Sequence, residues 1–129
     1  MSTPPEVPPS ALPKNFLRPS VLLLLREQPA HGYELIERLR SLGFTRDDPG
    51  RLYRALRALE EEGLVHSAWE ASGNGPDRRI YELTRAGMEA LHEAVQSLVA
   101  TNVVVGVFLS RYAEFVALDA SSRPATDRA

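Results

Sequence analysis

The stretch Asp48-Pro49-Gly50-Arg51-Leu52-Tyr53-Arg54-Ala55-Leu56-Arg57-Ala58-Leu59-Glu60-Glu61-Glu62-Gly63 decides how this chain folds. Asp48 is a side chain that caps exposed helical amides, and Pro49 suits the first helical position, where its missing N–H costs nothing. Leu52, Leu56 and Leu59 then recur at spacings of four and three, which marks one face of a helix, and Gly63 ends it. Upstream, a helix is expected from near Ala30 or His31 to about Leu42, with Tyr33, Leu35, Ile36 and Leu39 on one side and Gly43 as its stop. Before that, Pro19 fits a first turn and Ser20 to Gln28 carries Val21-Leu22-Leu23-Leu24-Leu25, closed by Pro29. A helix apolar on nearly every side belongs at the centre of a core.

Downstream of Gly63 the period changes. Leu64 to Glu70 and Arg78 to Leu83 are strand-like runs flanking Gly73-Asn74-Gly75-Pro76-Asp77, the pattern of a β-hairpin. Trp69 and Tyr81 are expected to pack across its strands. Three helices followed by a hairpin make a winged helix-turn-helix. The expected fold class is therefore mainly α with a small β-hairpin, extended by one long C-terminal helix.

That last helix is capped by Thr84. Met88, Leu91, Val95, Leu98, Asn102, Val105, Leu109, Tyr112 and Val116 alternate spacings of three and four, a heptad seam that calls for a partner helix. From about Arg85 to Leu118 it would be roughly 50 Å long. Leu91, Val95, Leu98, Asn102, Val105, Leu109 and Tyr112 are the expected homodimer interface, with Asn102 as a polar residue on the seam. Val99, Val103, Val104, Phe108 and Phe115 widen its apolar surface. A strand is the competing reading for Val103 to Val107, because β-branched residues and Gly106 weaken a helix.

The expected organisation is a disordered proline-rich arm at 1–15, a winged helix-turn-helix domain at 16–84, a dimerisation helix at 85–118 and a disordered tail at 119–129. At 129 residues, with 25% charged residues and no cysteine, a second full domain is not expected, and disulfides and thiolate metal sites are excluded. The longest apolar runs, Val21 to Leu25 and Val103 to Leu109, fall short of the roughly 20 residues that span a bilayer. No secretory pattern opens the chain, so neither a membrane helix nor export is expected, and the location expected is the cytoplasm.

A net charge of -2 and a pI near 5.9 argue against a uniformly basic nucleic-acid binder, so distribution matters more than total. All basic residues but Lys14 are arginine, which suits bidentate recognition of phosphates and base edges and is also favoured by a GC-rich genome. On the Pro49 helix, Gly50, Arg51, Tyr53, Arg54 and Arg57 lie off the leucine face. The N-terminal part of such a helix is what enters a major groove. Arg57 could instead pair with Glu61. Arg78 and Arg79, just after the hairpin turn, are placed to reach a minor groove or phosphate, with Lys14 and Arg18 as further phosphate candidates. Glu60-Glu61-Glu62 reads as a solvated acidic end turned away from DNA. His31, His66 and His92 are scattered without metal-ligand spacing, and no nucleophile or phosphate-loop motif occurs, so no metal, cofactor or enzymatic activity is expected.

Leu22 to Leu25, His31-Gly32-Tyr33-Glu34-Leu35, Pro49 to Leu56, Leu59 to Val65 and Arg79-Ile80-Tyr81-Glu82-Leu83-Thr84-Arg85-Ala86-Gly87 together resemble the PadR family of bacterial transcriptional regulators, over about residues 16–95. The resemblance is to the branch with a single C-terminal helix. Asn15 to Pro19 and Trp69-Glu70 with Gly73 to Pro76 are similar to polyhydroxybutyrate-responsive repressors. The resemblance implies a homodimeric regulator, usually a repressor, with Tyr53 and its helix at DNA. The expected partners are double-stranded DNA bearing a pseudo-palindromic operator, a second copy of the chain, and a small-molecule or polymer-linked effector. The alternative is a winged-helix protein-interaction module without DNA binding, suggested by the acidic pI and broad apolar last helix.

Overall fold

Burial of the first helix, α1 (Leu17–Glu27), organises everything around it. Leu17, Val21, Leu22, Leu24 and Leu25 are all buried, and only Leu23 of its apolar run reaches solvent. The computed structural model describes residues 12–45 and 48–122. The arm at 1–15 therefore falls mostly outside the described residues, as does the tail beyond Ser122. α1 starts earlier than Pro19, which lies within its first turn, where a proline is tolerated.

Leu35 and Leu39 of α2 (Gly32–Leu39) and Leu52, Leu56 and Leu59 of α3 (Pro49–Glu61) close over α1. The leucine spacing in α3 thus builds the core as expected. α2 is shorter than expected, because Arg40–Leu42 tightens into a 3-10 turn before Gly43 takes the left-handed conformation at φ 97°. α3 begins as its sequence demands: the Arg51 amide donates to Asp48 Oδ1 at 3.1 Å.

The sheet holds more than a hairpin. β2 (Val65–Glu70) and β3 (Arg78–Leu83) pair antiparallel, and β1 (Ala30–His31) adds to the other edge of β3, giving the order β1-β3-β2. Ala30 faces Tyr81 and His31 faces Ile80. The register corrects the expected Trp69–Tyr81 pair: Trp69 stands opposite Arg79, and Tyr81 opposite Ser67. Tyr81 is buried in the core while Trp69 is 67% exposed, so the two aromatics have different surroundings.

The acidic end of α3 is also more engaged than a solvated face. Arg18 donates to Glu62 through Nη1 and Nη2 at 2.7 and 3.0 Å, tying the start of α1 to the end of α3. That bond holds the Glu62 carboxyl below its usual range. Arg18 is consequently committed within the domain rather than free for phosphate. Glu60 accepts from Ser67 Oγ at 2.8 Å, joining α3 to β2.

Thr84 caps the last helix, α4 (Arg85–Ser122). Its hydroxyl accepts from the Gly87 amide at 3.0 Å and donates to the Gly63 carbonyl at 2.7 Å. Gly87 is required there, since a Cβ would strike the Leu64 carbonyl oxygen. α4 is helical through Val103–Val107, so the strand alternative is not adopted, and it continues past the expected end at Leu118.

The chain divides into two units, 1–94 and 95–129, with the division inside α4. In the first, Ala90 and Leu91 pack partly buried against the core, so Leu91 serves its own domain. In the second, Val95, Asn102, Val105, Leu109 and Tyr112 are exposed and Leu98 partly so. The expectation of no membrane-spanning helix needs correction on composition: α4 is long and apolar enough to cross a membrane by length and composition. Uninterrupted apolar runs are too narrow a criterion, because Ala94 to Ser110 contains no charged residue although polar side chains punctuate it.

Candidate nucleic-acid interface

Four elements of the first unit meet around one open groove of about 180 Å³, lined by His31, Gly32, Tyr33, Tyr53, Arg78, Arg79 and Tyr81. Tyr53 reaches it from α3, Tyr33 from the first turn of α2, and the two arginines from the start of β3. With the leucines of α3 buried, Tyr53 falls on the flank of the helix, about a quarter turn from the leucine face, where it is 45% exposed. Gly32 lets the Tyr53 ring lie directly on the α2 backbone; a Cβ there would sit 2.6 Å from ring carbons Cε1 and Cζ. The groove therefore exists because a glycine opens α2.

Arg78 lies over the Tyr33 ring, with its guanidinium carbon 5.8 Å from the centroid, and its Nη1 donates to the Tyr33 hydroxyl at 3.4 Å. Among the described residues no carboxylate pairs with Arg78. Arg79 differs. Its Nε donates to Ser67 Oγ at 2.7 Å, its Nη2 lies 3.9 Å from Glu60, and its guanidinium stacks 5.5 Å from the Trp69 ring centroid. Arg78 thus faces Glu70 across the strands without an ion pair among the described residues, whereas Arg79 is braced against α3.

Gly50, Arg51, Arg54 and Arg57 are exposed on α3 with Tyr53. Among the described residues Arg57 forms no pair with Glu61, so the surface-pair alternative is not adopted. The positive end of the helix dipole lies at Pro49, on the side where Gly50, Arg51 and Arg54 cluster. The far end carries Glu60 and Glu62, already committed to Ser67 and Arg18. Cationic groups and acidic groups are accordingly sorted along one helix.

His31 closes the back of the groove. Its ring stacks on Tyr33 with centroids 6.4 Å apart, and its Nδ1 lies 2.6 Å from Glu34 Oε1, which also accepts from the His31 amide at 2.9 Å. These bonds, the backbone one foremost, hold the Glu34 carboxyl below its usual 4.5. A carboxylate acceptor at Nδ1 requires the ring proton there, leaving Nε2 buried without a hydrogen-bond partner, 3.8 Å from Glu70. Burial raises the Tyr81 hydroxyl above its ordinary value, so it stays a neutral donor.

Of the residues expected at DNA, Tyr53, Arg78 and Arg79 converge on the groove, while Gly50, Arg51, Arg54 and Arg57 occupy the exposed side of α3. His31 and Tyr33 line the groove as well, which the sequence pattern does not foretell. Helical spacing puts Tyr33 on the apolar side of α2, yet it is 53% exposed. Among the described residues no group of three or more His, Asp or Glu side chains could hold a metal ion.

The family model described as the transcriptional regulator PadR-like family matches residues 21–93, more than half the chain and all of α2, α3 and the hairpin. This chain belongs to the PadR-like family. It is similar to the crystal structure of a PadR-like transcriptional regulator from Bacillus cereus, at 32% identity and a TM-score of 0.67 over 74% of this chain and 93% of that one. A PadR-like transcription factor from Bacteroides fragilis is similar at 30% identity and a TM-score of 0.64, over 74% and 91%. A "probable transcriptional regulator" of Mycobacterium tuberculosis is 32% identical over 74 residues, 56% of this chain. The match spans 39% of that relative's length. The PadR-like assignment makes the chain a member of a transcriptional-regulator family with a winged-helix fold.

Proposed function

We propose that this PadR-like chain is a cytoplasmic, homodimeric, sequence-specific DNA-binding repressor. The observation that carries the reading is the convergence of Tyr33, Tyr53 and Arg78 on one groove beside the exposed arginines of α3. Phenol hydroxyls and a guanidinium suit a backbone phosphate, and such contacts set register without reading sequence. Arg51 and Arg54, near the N-terminal end of α3, are the base-reading residues; an arginine bidentate to guanine discriminates by about 1–3 kcal/mol. Placing Glu60, Glu61 and Glu62 at the far end of α3, with Asp48 engaged as the cap of its near end, answers the objection raised by the net charge of -2.

The second copy covers the exposed apolar face of α4, where Val95, Leu98, Asn102, Val105, Leu109 and Tyr112 form the seam. A dimer presents two α3 helices to half-sites about one helical turn apart, or a multiple of it, hence a pseudo-palindromic operator. An effector that prefers a different separation of the two would release the repressor. The test compares variants on a selected operator and on scrambled DNA. Arg54→Ala should narrow the ratio of specific to non-specific affinity, whereas Arg78→Ala should weaken binding to all sequences and flatten its salt dependence. Wild-type discrimination in Arg54→Ala together with an unchanged salt slope in Arg78→Ala would overturn these assignments.

A further inference from the structure

Trp69 is the only tryptophan of the chain, and β2 holds it 67% exposed at the edge of the wing turn. Neither the core nor the groove uses this ring. Its position is nevertheless well defined. Val65, Ser67 and Trp69 share one face of β2 by strand alternation. Val65 enters the core and Ser67 bonds to Glu60 of α3, so Trp69 continues outward along the face that looks toward α3. Directly across the sheet stands Arg79, with its guanidinium carbon 5.5 Å from the indole centroid. The Nε of Arg79 is fixed on Ser67, which aims the rest of the group along the ring.

We infer that Trp69 and Arg79 form a stacked prong that enters the DNA minor groove flanking each half-site, with Trp69 as a specificity-determining residue. The inference rests on the DNA-binding reading above. What selects DNA as the occupant is charge: Arg79 backs the ring on the face where Arg57 of α3 also lies near Tyr81, while Glu70 takes the other face of β2 opposite Arg78, and a planar ring backed by a cation complements a polyanion with apolar sugar walls. A side chain wedged against those walls meets the exocyclic N2 amino group of guanine, which fills the floor of the minor groove at G·C pairs and is absent at A·T pairs. Narrow A·T-rich grooves also draw arginine through their enhanced negative potential. Trp69 therefore imposes an A·T preference at base pairs that α3 never touches.

The experiment uses the full chain and a duplex that it enriches from a random library. Three versions carry A·T, G·C or inosine·cytosine pairs in the flank. Inosine keeps the major-groove face of guanine but lacks its N2 amino group, so minor-groove readout treats it as A·T. The wild-type chain is expected to bind the A·T and inosine flanks equally and the G·C flank about fivefold more weakly. Trp69→Ala should lose about tenfold on the A·T flank and become indifferent to all three, with Trp69→Phe intermediate and the circular-dichroism melt unchanged. Trp69 emission should shift on binding, read independently of the anisotropy of a labelled duplex. If anisotropy reports tight binding while emission is unmoved and Trp69→Ala binds all three flanks like wild type, the prong is refuted and the regulator reading stands. If no duplex is enriched or bound, both fall together.

Discussion

Replacing Gly32 by Ala should separate DNA binding from stability, because of what the new methyl group meets. The added Cβ would overlap the Tyr53 hydroxyl most and stand 2.6 Å from two of its ring carbons, where ordinary contact begins at about 3.4 Å, so the ring must retreat by at least about 0.8 Å. Tyr53 is 45% exposed and can swing outward on its own χ angles. Overpacking a closed core costs about 1–3 kcal/mol, and a ring with solvent on one side should cost below about 1. The displaced phenol leaves the groove, and loss of one well-placed contact in each half-site should weaken operator binding about tenfold. Gly87→Ala is the internal contrast. Its Cβ would strike the Leu64 carbonyl oxygen and approach that carbonyl carbon to 3.1 Å, and backbone cannot step aside. It should therefore lower stability by about 1–3 kcal/mol. Thermal denaturation and fluorescence anisotropy on the same samples read the two effects. In the Tyr53→Ala background, Gly32→Ala should have no further effect on DNA affinity, the sign of a shared contact. A Gly32→Ala protein with full affinity, or one that loses as much stability as Gly87→Ala, would refute the reasoning.

Asp48→Ala removes the acceptor of the Arg51 amide and should destabilise the domain by about 1 kcal/mol, visible as a lower urea midpoint at unchanged slope. Glu34 carries a depressed pKa, so its stabilisation is fully present above the usual 4.5 and disappears as pH falls through the lower folded value. Melting temperature followed from neutral to acid should accordingly fall more steeply below pH 4.5 in the wild type than in Glu34→Gln; parallel curves would contradict the capping geometry. Leu109→Asp places a carboxylate on the exposed seam of α4 and should convert dimers to monomers in sedimentation, while a persistent dimer would exclude that face as the interface.

Local chemistry makes α3 readable from its own residues. Asp48, Pro49 and the Leu52-Leu56-Leu59 spacing act within a few positions of one another, and so does the Thr84 cap of α4. What is not legible depends on distant pairing. β1 is only Ala30–His31 and exists because β3 lies beside it, so no periodicity announces it. The hairpin turn is long enough to leave the strand register open, and two aromatics on facing strands suggest a pair that the actual register separates. Arg18 has the chemistry of a phosphate ligand, but its partner Glu62 lies 44 residues away and claims it. The groove is half legible: Tyr53, Arg78 and Arg79 have chemistry suited to DNA, whereas Tyr33 and His31 join them only once β1 has docked the start of α2 onto the wing. In α4 the seam is visible, but a 17-residue span without charge, from Ala94 to Ser110, escapes a count of continuous apolar runs because polar side chains interrupt it.

The most direct test of the central claim is anisotropy of the full chain on duplex DNA from upstream of its own gene, against a scrambled duplex of equal length, across a salt series. Repressor function predicts saturable binding to the upstream duplex, at two protomers per site, with an affinity that falls linearly in log salt yet stays above that for scrambled DNA throughout. Equal, weak binding to both duplexes at every salt concentration would contradict it.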